Sequence, residues 1–205
     1  MKTLLLMRHA KSSWKDPELP DHDRPLNKRG LKDAPFMGEV LKEKELLPQR
    51  ILASTALRVR ETVNGLVQTS SYAGEIEFSD ALYLAEPEVY LTALQALPET
   101  LERVMIIGHN PGLEGLLQLL SGRIESLSTG SIAYISLPIQ NWGDLNGQIE
   151  GELVEMFEPQ ALREMEEKMA KEKKEKKEKE EKKGKEEKKK EKKKVEKKEE
   201  KKRKK

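Results

Sequence analysis

Three short apolar runs, each ending abruptly in a polar motif, set the tightest limit on what this chain can fold into. Residues 3–7 run into Arg8-His9, residues 50–53 into Ser54, and residues 103–107 into Gly108-His109. Apolar runs of about four to eight residues have the length of buried strands and are short for helices. Between them the apolar spacing changes. Leu31, Ala34, Met37, Val40 and Leu41 recur at helical intervals, which predicts a helix from Asn27, its N-cap, with these five facing inward. Pro48 closes that region. A second helix is predicted from Ala56 to Thr69, with Leu57, Val63, Leu66 and Val67 inward. Others follow over Glu88–Leu97, behind Pro87, and over Leu113–Leu120, ending near Gly122. Ile76–Phe78 is a weaker strand. Ser131–Leu137 and Gly151–Phe157 read as a β pair across a polar connection that holds Asn141, Gly143, Asn146 and Gly147.

Strands alternating with helices predict an α/β fold: a mainly parallel central sheet with helices on both faces, and the last two strands antiparallel. In such sheets ligands bind beyond the carboxyl ends of the strands. The three polar motifs are therefore expected to meet at one rim. The stretch Lys11–Asn27 holds Pro17, Pro20 and Pro25. It is expected to be a surface loop, and a loop of that length in a small domain is usually functional or disordered.

Composition divides the chain at one place. Residues 1–163 carry 16 Lys+Arg against 23 Asp+Glu, whereas residues 164–205 carry 23 Lys+Arg against 14 Glu. The overall charge of +2 therefore joins an acidic body to a basic tail. The tail offers only Met165, Met169, Ala170 and Val195 as apolar residues, so it cannot build a core. Glu–Lys pairs four apart, such as Glu172–Lys176, can support a solvated helix. We expect a domain over 1–163 and a non-globular, charged C-terminal tail over 164–205, either disordered or a lone helix. Its 14 glutamates dilute the positive charge, and no aromatic is present to stack on bases. Weak adhesion to anionic surfaces is expected, without specific nucleic-acid binding. The absence of cysteine excludes disulfides, thiolate nucleophiles and cysteine metal sites. The apolar run at residues 4–7 is too short for a signal-peptide core, and no stretch has the ~18 apolar residues of a membrane span. A soluble, cytoplasmic protein is expected.

Each polar motif has a modest reading alone. His9 beside Arg8 could be a nucleophile, a base or a phosphate ligand, or an ordinary hydrogen-bonded surface pair. Arg58, in the first turn of a helix, could fork onto two oxygens of an anion held at the helix N-terminus. Arg58 and Arg60 could also form a solvated face. His109 could reach a ligand above the sheet or be satisfied in the core. His22 lies in Asp21-His22-Asp23 and is read as exposed. Three consecutive loop residues make a poor metal cage, so no metal and no other cofactor is expected.

Taken together, Arg8-His9-Ala10, Ser54 through Arg58 to Glu61-Thr62, and Gly108-His109-Asn110-Pro111 resemble the histidine phosphatase superfamily, the phosphoglycerate mutase-like enzymes. Within it the chain is most similar to the SixA-type phosphohistidine phosphatases. Arg8–Trp14, Asp23–Gly30 and the short spacings, without an inserted cap, carry that narrower likeness over roughly residues 1–160. Ala10 stands where many members of the superfamily have glycine, as is common in the SixA branch.

The resemblance implies catalysis by Arg8, His9, Arg58 and His109. His9 would be the nucleophile that forms a transient phosphohistidine. Arg8, Arg58, His109 in its charged form, and Ser12 would hold the phosphoryl oxygens. It implies a phosphorylated protein as substrate, such as a histidine-containing phosphotransfer domain. No residue matches the carboxylic acid of larger relatives; Asp80 and Glu86 are candidates by position. The alternatives are a small-molecule phosphomonoesterase or mutase of the same superfamily, and a non-catalytic protein that binds phosphorylated partners. A further alternative makes the tail the functional part and the domain its carrier.

Overall fold

The structure is a computed structural model and describes residues 1–146, 151–175 and 177. Six strands form one sheet: β1 (Lys2–Arg8), β2 (Arg50–Ser54), β3 (Glu75–Ser79), β4 (Arg103–Gly108), β5 (Ile132–Leu137) and β6 (Glu152–Phe157). Their order is β3-β2-β4-β1-β5-β6. The first four pair in parallel, while β5 joins β1 and β6 joins β5 antiparallel. Four helices connect them: α1 (Gly30–Glu43), α2 (Leu57–Ser70), α3 (Pro87–Gln95) and α4 (Gly112–Ser121).

The near-continuous apolar character of β1 and β4 follows from burial on both faces. Leu4, Leu6, Val104 and Ile106 pack in one cluster with Leu94 from α3, Leu116 and Leu120 from α4, and Trp142. Successive strand residues point to opposite faces. Leu5, Met7, Met105 and Ile107 therefore point the other way, and they too are fully buried. On that side α2 meets β2 and β4, and α1 packs against α2.

Two expected core residues are not core. Leu31 is 57% exposed and Leu57 37% exposed. Each stands in the first turn of its helix, where the neighbour, Gly30 or Arg58, is buried instead. One step along a helix turns a side chain by about 100°. Gly30 has to be glycine-sized, because a Cβ there would strike the Lys11 carbonyl. Helix α1 starts at Gly30 rather than Asn27, yet Asn27 still caps it: its Oδ1 accepts the N–H groups of Arg29 and Gly30 at 2.9 Å.

The stretch after β1 is a closed loop rather than a loose surface one. Ser12 bridges Leu26 in antiparallel fashion, and Asn27 N–H donates to the Lys11 carbonyl at 2.9 Å. Helix α2 fastens both ends of the loop. The Thr62 hydroxyl accepts from Ala10 N–H at 3.1 Å, and Glu61 accepts from Leu26 N–H at 2.6 Å. A short 3-10 turn, Asp21–Asp23, lies within the loop.

The chain divides into two compact units, Met1–Pro159 and a second that begins at Gln160. In the second, residues 160–175 and 177 are helical, and the Gln160 amide donates to Glu164 at 3.0 Å. The expectation for the tail at 176 and 178–205 lies outside the described residues. Among the described residues no helix is long and apolar enough to cross a membrane.

Candidate active site

The strand order puts the carboxyl ends of β2, β4 and β1 side by side. Arg8 is in register with Gly108, and His9 N–H donates to the Gly108 carbonyl at 3.1 Å. His9 and His109 therefore leave the sheet as neighbours, their ring centroids 5.2 Å apart. Strand β2 ends in Ser54, and the turn into α2 delivers Arg58 to the same place. Gly108 is held to a hydrogen on its Cα by the Tyr90 phenol, which a Cβ would strike.

The hydrogen bonds fix both imidazoles. His9 Nδ1 lies 2.8 Å from the Ala10 carbonyl oxygen. A carbonyl only accepts, so Nδ1 carries the proton and Nε2 keeps its lone pair. Arg58 Nε donates to that lone pair at 3.2 Å. Arg58 Nη2 also approaches His109 Nδ1 at 3.3 Å, so Nδ1 is the acceptor. His109 Nε2 then donates to the Ser54 hydroxyl at 2.9 Å. Burial, opposed by the hydrogen bond to Ala10 and helped by the Arg58 and Arg8 charges, holds His9 down at about 4. Burial, then His9 and Arg58, takes His109 to about 3. In this arrangement the His109 ring is neutral, because it is desolvated and faces guanidinium groups; the charged form expected of it belongs to the ring with a phosphoryl group beside it.

The outer edge of Arg58 is gripped by Asp21. Arg58 Nη1 donates to the Asp21 backbone carbonyl at 2.5 Å, and Nη2 donates to its carboxylate at 2.9 Å. The same carboxylate accepts from Arg24 at 2.7 Å and from the Tyr83 hydroxyl at 2.8 Å. Burial pushes Asp21 upward, but the Tyr83 and Arg24 hydrogen bonds and the Arg58 charge outweigh it and hold the acid at about 2. Arg24 is itself buried, and it donates to the Ser12 hydroxyl at 2.8 Å and to the Ser13 carbonyl at 3.0 Å. Arg8 donates through Nη1 to the Leu127 carbonyl at 2.9 Å, while its buried Nε has no partner among the described residues.

These groups line a cleft of about 150 Å³ that includes Arg8, His9, Ser12, Arg24, Arg58 and His109. All five residues singled out in the sequence are thus brought together. Asp80 and Glu86, the two acid candidates, are not among the residues that line it. Both are exposed, and Asp80 accepts from the Thr55 hydroxyl at 2.5 Å. His22 is not fully exposed as expected: its ring meets Thr55 Oγ1 at 3.1 Å and packs edge-on against Tyr83. Arg24, Asp21 and Tyr83 are the site residues that sequence reasoning missed. The signals were Asp21 and Arg24 three apart in a proline-rich loop and the place of Arg24 in the Asp23–Gly30 stretch, neither of which says which way a loop folds.

The sequence profile of the histidine phosphatase superfamily (branch 1) matches residues 4–83. An uncharacterized chloroplastic protein of Arabidopsis thaliana is 34% identical over 151 residues, covering 69% of this chain and 69% of its own length. The structure of SixA from Agrobacterium tumefaciens superposes with a TM-score of 0.67 at 27% identity, over 77% of this chain and 98% of that one. SixA from Nakamurella multipartitia gives 0.68 at 25% identity, over 77% of this chain and 96% of that one. The chain belongs to the histidine phosphatase superfamily, in its SixA-type branch. It is a phosphatase of the histidine phosphatase type.

Proposed function

We propose that this phosphatase works through a covalent phosphohistidine at His9 Nε2 and that its substrate is phosphohistidine in a protein. The observation that carries the reading is the Nδ1–H bond from His9 to the Ala10 carbonyl, which leaves Nε2 without a proton at a ring that lines the cleft, where the Arg58 hydrogen bond is all that an arriving phosphoryl group has to displace. A ring held near 4 stays unprotonated at neutral pH, as a nucleophile must.

In the first step the Nε2–P bond forms as the bond from phosphorus to the substrate nitrogen breaks, and the leaving imidazole keeps the proton it carries. In the second, water attacks phosphorus, the Nε2–P bond breaks, and inorganic phosphate departs. Negative charge on the transferring group is spread over its equatorial oxygens. The Nε and inner Nη2 edge of Arg58, together with Arg8 and Arg24, supplies fixed positive charge around it. Asp21, by holding the outer edge of Arg58, keeps the inner edge turned toward His9. An arriving phosphoryl dianion raises the affinity of His109 for a proton, which restores the charged form at the moment it is useful.

The choice of leaving group rests on the acid. Asp21 is the carboxylate that holds Arg58, and at about 2 it is an acceptor, not a proton donor. A protonated imidazole leaves readily without help, whereas an alkoxide does not. The SixA relatives are themselves named for phosphohistidine. The test is to incubate the protein and its His9→Ala variant with a histidine-phosphorylated phosphotransfer domain and to trap acid-labile phosphoenzyme. Wild type should release phosphate and show label on His9. A wild type that clears phosphate without any labelled enzyme would sink the covalent mechanism.

A further inference from the structure

Trp14 and Leu84 are large apolar residues that stand at an otherwise polar cleft. Both line it together with His9 and Arg58, yet Trp14 is 76% exposed and Leu84 53% exposed. They come from different segments, the loop after β1 and the turn before α3. We propose that they are the two lips that seat the protein part of the substrate: an apolar surface patch that bears the phosphorylated imidazole, with acidic side chains beside it. The proposal rests on the phosphohistidine reading above and names the partner surface for that site.

Each lip is held in place. The Trp14 ring lies with the Arg24 guanidinium 3.1 Å from its centroid. Arg24 is locked in turn by Ser12, Ser13 and Asp21. The indole is therefore a fixed platform rather than a free side chain, and little ordering remains for binding to supply. Leu84 has φ +48°, in the left-handed region, where a leucine is strained and glycine or asparagine is at ease. Its neighbours are anchored: Tyr83 through its hydroxyl to Asp21, and Ala85 by burial. Strained backbone that thrusts an apolar side chain into a cleft mouth is an arrangement found at functional sites.

Size and charge choose the occupant. The cleft, about 150 Å³, accommodates a phosphoryl group and little more, so the remainder of any substrate crosses the lips. A sugar or glycerol phosphate would present hydroxyls to an indole and an isobutyl group that offer them no acceptor. An apolar protein patch would lose water from both. Lys11 lines the same cleft and is exposed, whereas the exposed Asp16 and Glu18 of the loop that carries Trp14 are not among the lining residues, which favours acidic groups close beside the imidazole.

The experiment compares two substrates with the full chain. One is a histidine-phosphorylated phosphotransfer domain. The other is phosphoramidate, which has the same P–N bond and no apolar surface. For Trp14→Ala and for Leu84→Asn, which suits the left-handed backbone, the ratio of kcat/KM between the two substrates should fall about tenfold each, through KM of the protein substrate. Ratios unchanged from wild type would overturn the lips alone. A proportional loss on both substrates would also overturn them, because Trp14 would then act only through Arg24. A wild type that hydrolyses phosphoramidate and ignores the phosphoprotein would remove the underlying reading and this proposal with it.

Discussion

The most apolar of the roomier concavities and the chemically equipped cleft are different places. A cavity of about 460 Å³ lies between β2, β3 and α3, lined by Leu52, Leu82, Val89, Ala93 and Leu97 among others. The cleft at the ends of β1, β2 and β4 is about a third of that volume. The larger space has one cation, Arg50, and that is paired with Glu75 on the edge strand. The smaller gathers three arginines and two imidazoles, with a carboxylate holding two of the arginines from behind. Volume measures where side chains happen not to fill; function needs charge and lone pairs aimed at one point. That aim is costly to hold, because like charges repel and burial penalises both. The protein meets the difficulty with neutral imidazoles and with Asp21.

Substitutions can break this contrast, the largest effect coming first. His9→Ala should abolish the phosphoenzyme and lower kcat by roughly 10⁴-fold or more, as read by rapid-quench labelling. Turnover within a few fold of wild type would end the nucleophile assignment. Arg58→Ala should lower kcat by roughly 10²–10³-fold, and Arg58→Lys should recover little, since a lysine has no fork to divide between Asp21 and the phosphoryl group. On the other side of the comparison, Leu97→Ala in the large cavity should lower unfolding stability by about 2–4 kcal/mol while kcat at 25 °C holds. A parallel fall in kcat would couple the two regions.

Smaller effects sharpen the comparison. Asp21→Asn keeps the shape and removes the charge that grips Arg58 and Arg24. We expect about a tenfold fall in kcat/KM, with Asp21→Glu recovering part of it. The smallest effect is a constancy. Because His9 is pushed below the ordinary imidazole value of 6.5 to about 4, lowering the pH from 7 to 5 should leave Nε2 unprotonated. Nitrogen NMR of the ring should show almost no change over that interval, whereas an ordinary exposed imidazole titrates through it. A midpoint near 6.5 would mean that the ring is not desolvated as described.

Much of the fold was legible because burial on both faces leaves an unmistakable trace. Leu4–Met7 and Val104–Ile107 have almost no polar interruption, and that is the mark of interior parallel strands. The antiparallel pair of Ile132–Leu137 and Glu152–Phe157 was also readable from its polar connection. Helix faces were read less well. Leu31 and Leu57 fit the spacing, but in the first turn of a helix a single residue of offset turns the side chain outward. Of the site, residues that end a strand or begin a helix were readable, since their position follows from the element: Arg8, His9, Arg58 and His109. Residues on the Lys11–Asn27 loop had no periodicity to betray them. Asp21 and Arg24 became visible only once the loop was seen to close back on α2.

The sequence alone determined the order of strands and helices, the kind of residue standing at each strand tip, and a family likeness strong enough to suggest the chemistry. Tertiary structure alone decided the protonation of the two histidines, the hold of Asp21 on Arg58, and which apolar side chains stay in water at the cleft mouth. The physical reason is that hydrophobic patterning is local and repeats along the chain. The charge and tautomer of a buried group instead depend on what stands within about 3 Å of it, and apart from the Ala10 carbonyl beside His9 those neighbours come from positions 12 to 55 residues away.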